Sequence, residues 1–420
     1  MIDLPPSQIA TLAVAALSTG GVILSPGRVP EATWAVLGGI ALVVFGLMLP
    51  ADALKAVSKG IDIYLFLIGM MLLAELARKE GLFDWLAAHA VRHAAGSPTR
   101  LFALVYVVGT IVTIFLSNDA TAVVLTPAVY AAARAAKAKP LPYLLVCAFV
   151  ANAASFVLPI SNPANLVIFG AHMPSLTTWL ARFAIPSGLA ILATFIVLRW
   201  TQSKALEQAF DKTIDIPELP RGGYLAAFGI AATAVALLAA SALQLDLGWP
   251  TCLAAFAALA LVGLGKRSLP TDILTEVSWS VLPLVAGLFV LVEGLAQTGL
   301  LALLSKSLNE AAAAHQTATG WIAGSGIALL CNLMNNLPAG LVFGEAVNAA
   351  HVPEFVRSAI LIGVNLGPNL SVTGSLATIL WLNALRREGE TVSAWTFLKL
   401  GALVMPPALL AALAGACFTH

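Results

Sequence analysis

Charged residues are scarce in this sequence of 420 residues: acids and bases together make up 10% of it, while 60% is hydrophobic. Soluble domains carry about 25% charged residues, so the composition excludes an ordinary soluble protein and indicates one that crosses a membrane many times. The formal net charge of +1 leaves no basic surplus. A strongly basic nucleic-acid binder is therefore excluded as well.

Histidine and cysteine are equally sparse, at six and four residues. Such small and scattered numbers argue against a disulfide framework or a metal scaffold, and we predict neither a metal site nor a cofactor. An intramembrane hydrolase is disfavoured, because the sequence has no HExxH motif and no histidine near its polar interruptions. The cysteines lie in apolar runs, where small buried hydrophobes are expected: Cys147, Cys252, Cys331 and Cys417.

Apolar segments of membrane-spanning length recur along the chain. Two further segments are hairpins, at 101–136 and 318–346, and two are helices broken by polar residues, at 141–171 and 356–385. Each hairpin arm is only about 15 residues long, or roughly 23 Å as helix, which is short for a bilayer crossing. The sequence therefore predicts an all-α polytopic membrane protein with about ten transmembrane helices and two re-entrant helical hairpins. The uninterrupted spans are expected at 8–25, 31–50, 61–77, 178–199, 223–243, 249–265, 279–300 and 396–417.

The two halves of the chain repeat one another. A polar, proline-bearing linker at 201–222, predicted to be cytoplasmic, separates repeat 1 (1–200) from repeat 2 (223–420). Residues that match at an offset of 218 positions, or 213 after a five-residue shortening, are Gly69 and Gly287, Glu75 and Glu293, Gly81 and Gly299, Ser117-Asn118 and Asn335-Asn336, and Asn152 and Asn365. A whole register of such matches indicates duplication.

Each half contains five crossings and one hairpin. Because five is odd, the second half must enter the membrane in the opposite orientation, which gives two inverted-topology repeats. If the base of the first hairpin is cytoplasmic, seventeen of the 22 lysines and arginines lie on the cytoplasmic side and both termini are external. The five exceptions are Lys55, Lys59, Arg182, Lys306 and Arg357.

Polar residues interrupt the apolar sequence at the tip of each hairpin. The first tip reads Ser117-Asn118-Asp119 and the second reads Asn335-Asn336. Polar groups within a bilayer cost several kcal/mol each unless they contact protein, water or an ion, so they indicate a functional site. In transporters built from inverted repeats, such a site lies near the membrane midplane, between the interrupted helices.

Two further interruptions, at 159–165 and 365–375, combine proline or glycine with asparagine and serine. Proline and glycine unwind a helix, and amide side chains can both donate and accept hydrogen bonds. We predict that these groups bind a small neutral polyhydroxy solute; the alternative is that they only cap broken helix ends. The candidate substrate-binding residues are Ser117, Asn118, Ser161, Asn162, Asn165, Asn335, Asn336, Asn365, Asn369, Ser371, Thr373 and Ser375.

Asp119 is the one acid at a hairpin tip, since its counterpart in the second half is Leu337. Burial favours the protonated form of a carboxyl group, so Asp119 is predicted to couple transport to protons. The alternatives for Asp119 are an oxygen ligand for sodium and a helix cap. Glu293 is the second candidate ion-coupling acid, because no base lies near it in the sequence; the alternative is a structural or interfacial role. Glu75, in contrast, is expected to pair with Arg78, one helical turn away.

The segments Asn335–Gly340 and Leu366–Thr378 closely resemble the bacterial arsenite/antimonite efflux permeases of the ArsB family. The likeness covers essentially the whole chain, and the first tip fits the wider ion-transporter superfamily. Sodium-coupled carboxylate carriers of that superfamily have Ser-Asn-Thr at both tips. Asp119 stands in place of the first threonine, and this difference argues against a pair of sodium sites.

The resemblance implies a secondary active transporter of the bacterial cytoplasmic (inner) membrane. It implies export of arsenite and antimonite, as neutral trivalent hydroxides, in exchange for protons, with a cytosolic arsenical pump ATPase as a candidate partner. The residues alone leave alternatives open, namely sodium- or proton-coupled transport of a small carboxylate-type anion on the same fold, or a channel. The interruptions contain no arginine or lysine, which argues against an anionic substrate.

Overall fold

The computed structural model describes residues 5–24, 29–170, 173–208, 210, 217–266, 271–350 and 352–419. All regular elements within these ranges are helices, which confirms the predicted all-α class. Seven of them are each long and apolar enough to cross a membrane, and a bent helix pair forms an eighth candidate span. Three bases used in the topology prediction, Arg28, Lys212 and Arg267, lie outside the described residues, as does the middle of the predicted linker.

The first repeat opens with α1 (Pro6–Leu24), α2 (Glu31–Val44), α3 (Pro50–Lys59), α4 (Ile61–Lys79) and α5 (Leu82–Ala94). The predicted span 31–50 is wrong in its extent, because α2 ends at Val44 and Gly46, with a φ of +66°, turns the chain before α3. α3 then meets α4 at a bend of 47°. The prediction missed α3 and α5 because both carry charged residues that interrupt an apolar run of spanning length.

The first hairpin and broken helix comprise α6 (Pro98–Phe115), α7 (Asn118–Ala120), α8 (Thr126–Ala135), α9 (Leu141–Ala153) and α10 (Pro163–Phe169), and α11 (Leu176–Thr201) follows them. A π-helical turn at Thr121–Leu125 joins α7 to α8. The polar break predicted at 159–165 starts earlier than expected, because α9 already ends at Ala153. Pro163 restarts the helix at the first position of α10, where proline's missing N–H is tolerated.

The second repeat comprises α12 (Arg221–Ala242), α13 (Gly248–Lys266), α14 (Thr271–Glu276), α15 (Val281–Gln297), α16 (Leu300–Met334), α17 (Asn336–Ala349), α18 (Glu354–Leu366), α19 (Leu376–Arg387) and α20 (Ala394–Thr419). α16 is longer than the predicted hairpin arm, but non-helical dihedral angles at His315 (φ −148°) divide it. His315 lies 218 positions after Ser97, the N-cap of α6. The two parts of α16 therefore correspond to α5 and α6.

Helices from the two repeats pack in exchanged pairs, α4 on α13 and α15 on α2. Each pair approaches closely at a glycine. A Cβ atom on Gly69 would lie 2.7 Å from the carbonyl carbon of Thr251, and one on Gly287 would lie 2.6 Å from that of Ala35. α11 packs on its own counterpart, α20. Such reciprocal contacts are expected of two inverted repeats of one unit, while the boundaries of the repeats remain a prediction.

We call α1–α4 and α12–α15 the scaffold, and the two hairpins, the two broken helices, α11 and α20 the core. Within the core, the return arm of each hairpin lies against the half-helix of the other repeat: α8 and its π turn contact α19, and α17 contacts α10. Gly344 of α17 allows this approach, since a Cβ atom there would lie 2.9 Å from the Cα atom of Ile168. The hairpin tips are thereby held next to both breaks.

Ion pairs join residues that the topology prediction places on the same side of the membrane. Lys59 Nζ lies 2.7 Å from Glu293 Oε2, and Arg182 Nη1 lies 2.6 Å from Glu354 Oε2, both on the predicted external side. On the predicted cytoplasmic side, Arg78 contacts both Glu75 and Glu276, and Lys266 pairs with Glu80. This grouping supports the inverted arrangement; which side is cytoplasmic remains a prediction.

Candidate functional site

The two broken helices meet through a buried network of amide side chains. Asn365 is at its centre: its Oδ1 atom accepts from Ser155 Oγ at 2.5 Å and from Asn162 Nδ2 at 2.8 Å. Its Nδ2 atom donates to Asn165 Oδ1 and to the carbonyl of Leu361, both at 2.9 Å. Every hydrogen-bonding group of Asn365 is thus satisfied by protein, and three of its four partners belong to the other repeat.

A second pair of amides extends this network. Asn152 Nδ2 donates to Asn369 Oδ1 at 3.0 Å, and Asn369 Nδ2 donates to the carbonyl of Phe149 at 3.1 Å. Asn165 Nδ2 donates to the carbonyl of Ser155 at 2.8 Å. Asn152 and Ser155 were not among the predicted site residues. We call Asn152, Ser155, Asn162, Asn165, Asn365 and Asn369 the amide network; all six side chains are buried.

The first tip shows a different pattern. Ser117 Oγ caps α7 by accepting from the backbone N–H of Ala120 at 3.1 Å, and Asn118 Oδ1 accepts from the N–H of Asp119 at 3.0 Å. The amide nitrogen of Asn118 has no hydrogen bond to the described residues, although Asn118 is buried. The Asp119 carboxylate is partly buried and has no hydrogen bond or ion pair within the described ranges. Two polar groups are therefore available at this tip.

The second tip repeats the pattern. Asn335 adopts a φ of +70° and caps α17, its Oδ1 accepting from the N–H of Leu337 at 3.3 Å. Asn336, the counterpart of Asn118, is buried, and its side chain has no hydrogen bond to the part of the chain that the structure describes. At both tips, the first residue caps a helix while the amide of the second is available.

Asn332, which the prediction missed, ties the second hairpin to the second break. Its Nδ2 atom donates to the carbonyl of Gly367 at 3.0 Å, and its Oδ1 atom accepts from Ser371 Oγ at 2.7 Å. Thr373 Oγ1 donates to the backbone carbonyl of Asn332 at 2.9 Å. The hydroxyl groups of Ser371 and Thr373 are thus already used inside the protein.

The first hairpin is tied to its break in the equivalent way. Ser161 Oγ donates to the carbonyl of Ile114 at 3.0 Å, and Ile114 lies 218 positions before Asn332. The half-helix that starts after each break is capped by the side chain of the residue just before it. Asn162 Oδ1 accepts from the N–H of Ala164 at 2.9 Å, and Ser375 Oγ accepts from that of Thr378 at 3.1 Å. Asn162 and Ser375 therefore do cap broken helix ends, as the alternative to substrate binding expects.

Glu293, the second predicted coupling acid, lies away from the hairpin tips. It pairs with Lys59, which is 234 positions earlier in the chain and could not be identified as a partner from sequence. The expected pair of Glu75 and Arg78 is present. Of the two predicted acids, the structure therefore brings only Asp119 to a tip.

Buried thiols do not form a cluster in this structure. Cys147, Cys252 and Cys331 are buried and free, and Cys417 is exposed. Within the described ranges, no group of three or more histidine, cysteine, aspartate or glutamate side chains is arranged to hold a metal ion. Amide, hydroxyl and carboxyl groups are therefore the chemistry that the two tips offer to a solute.

Inverted repeats, two re-entrant hairpins and two helices broken beside them define a multi-pass secondary transporter. A family model described as "Citrate transporter" (CitMHS) matches residues 16–366. The chain therefore belongs to the CitMHS citrate transporter family, whose members are membrane transporters and not enzymes.

Curated relatives match over most of their length. The arsenical pump membrane protein of Escherichia coli (strain K12) is 28% identical over 396 residues, covering 90% of this chain and 91% of the relative. That of Yersinia enterocolitica is 28% identical over 367 residues, covering 83% and 84%. An uncharacterized transporter of Mycobacterium tuberculosis (strain H37Rv) is 23% identical over 418 residues, covering 94% and 95%. The resemblance to arsenical permeases that the tip and break motifs indicate is confirmed.

Two solved transporters share the fold. The YdaH transporter of Alcanivorax borkumensis superposes with a TM-score of 0.57 at 16% identity, covering 99% of this chain and 98% of that one. MtrF of Neisseria gonorrhoeae, described as one of a class of antimetabolite efflux pumps, gives 0.54 at 16% identity, covering 99% and 95%. At this identity the likeness establishes the architecture alone.

Proposed function

We propose that this protein exports arsenite and antimonite, as neutral trivalent hydroxides, from the cytoplasm in exchange for protons. One observation carries the proposal: the polar groups available at the tips are two amides and one acid, namely those of Asn118, Asn336 and Asp119. The names of the arsenical pump relatives, which match over 83–90% of this chain, support the choice of substrate.

A neutral trihydroxide suits these groups. Each of its hydroxyls both donates and accepts a hydrogen bond, as an amide does. The tips and breaks contain no arginine or lysine to balance a carboxylate substrate. A citrate-like anion would have to be bound there with its charge uncompensated, which is costly in a medium of low dielectric constant. The family description is the observation that favours the anion alternative.

Proton exchange supplies enough driving force. Moving one charge through about 150 mV releases roughly 3.5 kcal/mol, which supports a concentration gradient of roughly 300-fold. Asp119 carries the proton in this proposal. When the transporter is closed to both sides, a neutral carboxylic acid can be buried at little cost, whereas an ionised carboxylate would lose its hydration at a large cost in free energy. Sodium coordination by Asp119 is the competing form of coupling.

The motion is a displacement of the core against the scaffold. The two breaks are hydrogen-bonded to each other, and the outgoing arm of each hairpin is hydrogen-bonded to its break at Ile114 or Asn332, so these parts of the core move as a unit and open to one side at a time. In the proposed orientation the protein lies in the bacterial inner membrane with both termini external. The cytosolic pump ATPase implied by the resemblance is a candidate partner.

Everted membrane vesicles test the proposal. An acid lumen should drive arsenite uptake by the wild type, and excess citrate should leave this uptake unchanged. Asp119→Asn should reduce pH-driven uptake about ten-fold or more, because an amide cannot carry the proton. Glu310→Gln is the matched control, since Glu310 is exposed and its carboxylate forms a surface ion pair with Lys306, 3.8 Å away on the same helix. Sodium-driven citrate uptake without arsenite uptake would establish the anion alternative.

A further inference from the structure

A basic cavity lies at the turn between α8 and α9, at the opposite end of α8 from the first hairpin tip. Its volume is about 350 Å³, which is within the range of small-molecule sites. Three of its five lining residues are bases and none is an acid. The lining residues are Arg134, Lys137, Ala138, Lys139 and Pro140.

The turn itself brings these bases together at the surface. Ala136 and Ala138 are buried, whereas Lys137 and Lys139, which alternate with them, are exposed. The N–H of Ala138 donates to the carbonyl of Ala133 at 2.9 Å and so closes the end of α8. Lys137 has a φ of +55°, a left-handed conformation that favours glycine. The backbone of the turn therefore gives no reason for a lysine at this position.

The positive charge of the cavity is only partly balanced. Lys137 interacts within the protein, but Arg134 and Lys139 form no hydrogen bond or ion pair with any described residue. The start of α9 adds to the charge, because Pro140 lines the cavity and no side chain caps the first turn of this helix. The N–H groups at a helix N-terminus carry a partial positive charge. Side chains and backbone therefore both favour an anion here.

The equivalent turn of repeat 2 shows that the fold does not require these bases. It lies between α17 and α18, where Pro353 stands 213 positions after Pro140. The residues that correspond to the three bases are all apolar, namely Val347, Ala350 and Val352. The basic cavity therefore belongs to one repeat, and to the predicted cytoplasmic side of the membrane.

We propose that this cavity binds a phosphate group, carried by an anionic phospholipid of the cytoplasmic leaflet or by a soluble phosphate. The planar guanidinium of Arg134 can donate two parallel hydrogen bonds to phosphate oxygens, and Lys139 supplies a compact positive charge. Basic residues at a membrane surface attract the anionic headgroups of that leaflet. The site is separate from the hairpin tips, so phosphate binding does not depend on which solute is transported.

Thermal unfolding of the full-length protein in a non-ionic detergent tests for this site, since a ligand that binds only the folded protein raises its Tm. The probes are dioleoyl phosphatidylglycerol against dioleoyl phosphatidylcholine, and sodium phosphate against sodium chloride at equal ionic strength. We expect at least one phosphate probe to raise the Tm by about 2 °C or more beyond its reference. A response to phosphatidylglycerol alone identifies a lipid headgroup as the source, and a response to sodium phosphate identifies a soluble anion.

Paired glutamine substitutions separate the cavity from general surface charge. Arg134→Gln with Lys139→Gln should abolish the Tm increase, because it removes the two charges that have no partner. Arg92→Gln with Arg100→Gln is the matched control, since both arginines are exposed on the same predicted side and neither lines the cavity. The control should keep the full increase. Arg134→Lys with Lys139→Arg preserves the charge and should keep at least about half of it.

Equal Tm values with each phosphate probe and its reference would overturn the proposal. An increase that persists in the Arg134→Gln, Lys139→Gln variant would also overturn it, since phosphate salts raise the Tm of many proteins without a site. Equal losses in the two glutamine variants would have the same consequence. Because Arg134 and Lys139 are exposed, the Tm without ligand should stay within about 2 °C of the wild type, and the charge-preserving variant repeats the comparison if it does not. No arsenite is measured, so failure of the proposed function leaves this test unaffected.

Discussion

An asparagine side chain has two hydrogen atoms to donate and an oxygen atom that accepts, and in an apolar interior each group needs a partner. Asn365 finds four partners inside the protein, whereas Asn336 finds none among the described residues. Both asparagines lie in polar interruptions of apolar segments, so the sequence alone gives no reason to assign them different roles. Asn365 therefore joins the two repeats through its hydrogen bonds, whereas the side chain of Asn336 is available for the substrate contact that we propose.

Truncation of these two residues should have opposite consequences. Asn365→Ala leaves buried groups of Ser155, Asn162 and Asn165 without their partner, so we expect a loss of roughly 2–4 kcal/mol in stability, visible as a lower Tm in detergent. Asn336→Ala removes no hydrogen bond and should stay within about 1 kcal/mol of the wild type. Arsenite uptake should nevertheless be lost in Asn336→Ala. A stable, active Asn365→Ala variant would contradict the structural assignment.

The sequence locates the polar residues but cannot pair them. Asn162 and Asn365 are 203 positions apart, so their hydrogen bond is defined only once the repeats are folded against each other. Asn332 escaped prediction because a single asparagine within a helical arm carries no local signal of a partner.

At the scale of helices, glycines set how closely the exchanged pairs pack. Gly287 of α15 lies against Ala35 of α2, and Gly69 of α4 lies against Thr251 of α13, with no room for a Cβ atom at either crossing. The sequence revealed these glycines as matched positions of the repeat. It did not reveal what they contact, because each packs on a helix of the other repeat.

Replacing a glycine by alanine should therefore lower the stability of the protein only where the added methyl group has no room. Gly287→Ala forces α15 away from α2, and overpacking of this kind costs about 1–3 kcal/mol, which we expect as a lower Tm and lower abundance in the membrane. Gly326→Ala, on α16 with open space around it, is the matched control and should be neutral or stabilising by up to about 1 kcal/mol. Equal Tm values for the two variants would show that α15 and α2 are not in this close contact.

Helix boundaries were predictable where capping and proline define them and not where charge interrupts the apolar pattern. The second break matches its prediction, with α18 ending at Leu366 and α19 starting at Leu376. α3, α5 and the first part of α16 were missed because they combine apolar and charged faces. Such helices are too short or too polar to be found by a search for spans, although their periodicity is a usable signal.

For the whole molecule, the division into core and scaffold predicts that the core moves as one body relative to the scaffold. Within the core, hydrogen bonds join the two breaks to each other and the outgoing arm of the second hairpin to its break. A narrow crevice separates the second tip and α19 from the scaffold, with Leu284 and Leu288 on the scaffold side and Leu376 and Ile379 on the core side. A rigid core that slides within a scaffold tolerates links inside the core and is stopped by links across the crevice. Cross-linking distinguishes this motion from a channel with a fixed pore.

Pairs of introduced cysteines test whether the core moves against the scaffold. Leu288→Cys with Leu376→Cys spans the crevice, and a bifunctional methanethiosulfonate reagent should stop arsenite transport, with recovery after a phosphine reductant. Ile168→Cys with Gly340→Cys is the control inside the core, because a Cβ atom added to Gly340 would lie 3.6 Å from Ile168 Cγ1. Both pairs belong in a background with the exposed Cys417 replaced by serine.

Since the control pair joins elements that move together, its cross-link should leave at least about half of the transport rate. Equal inhibition by both links would mean that the core itself deforms during transport, and no inhibition by the first would mean that the crevice does not open.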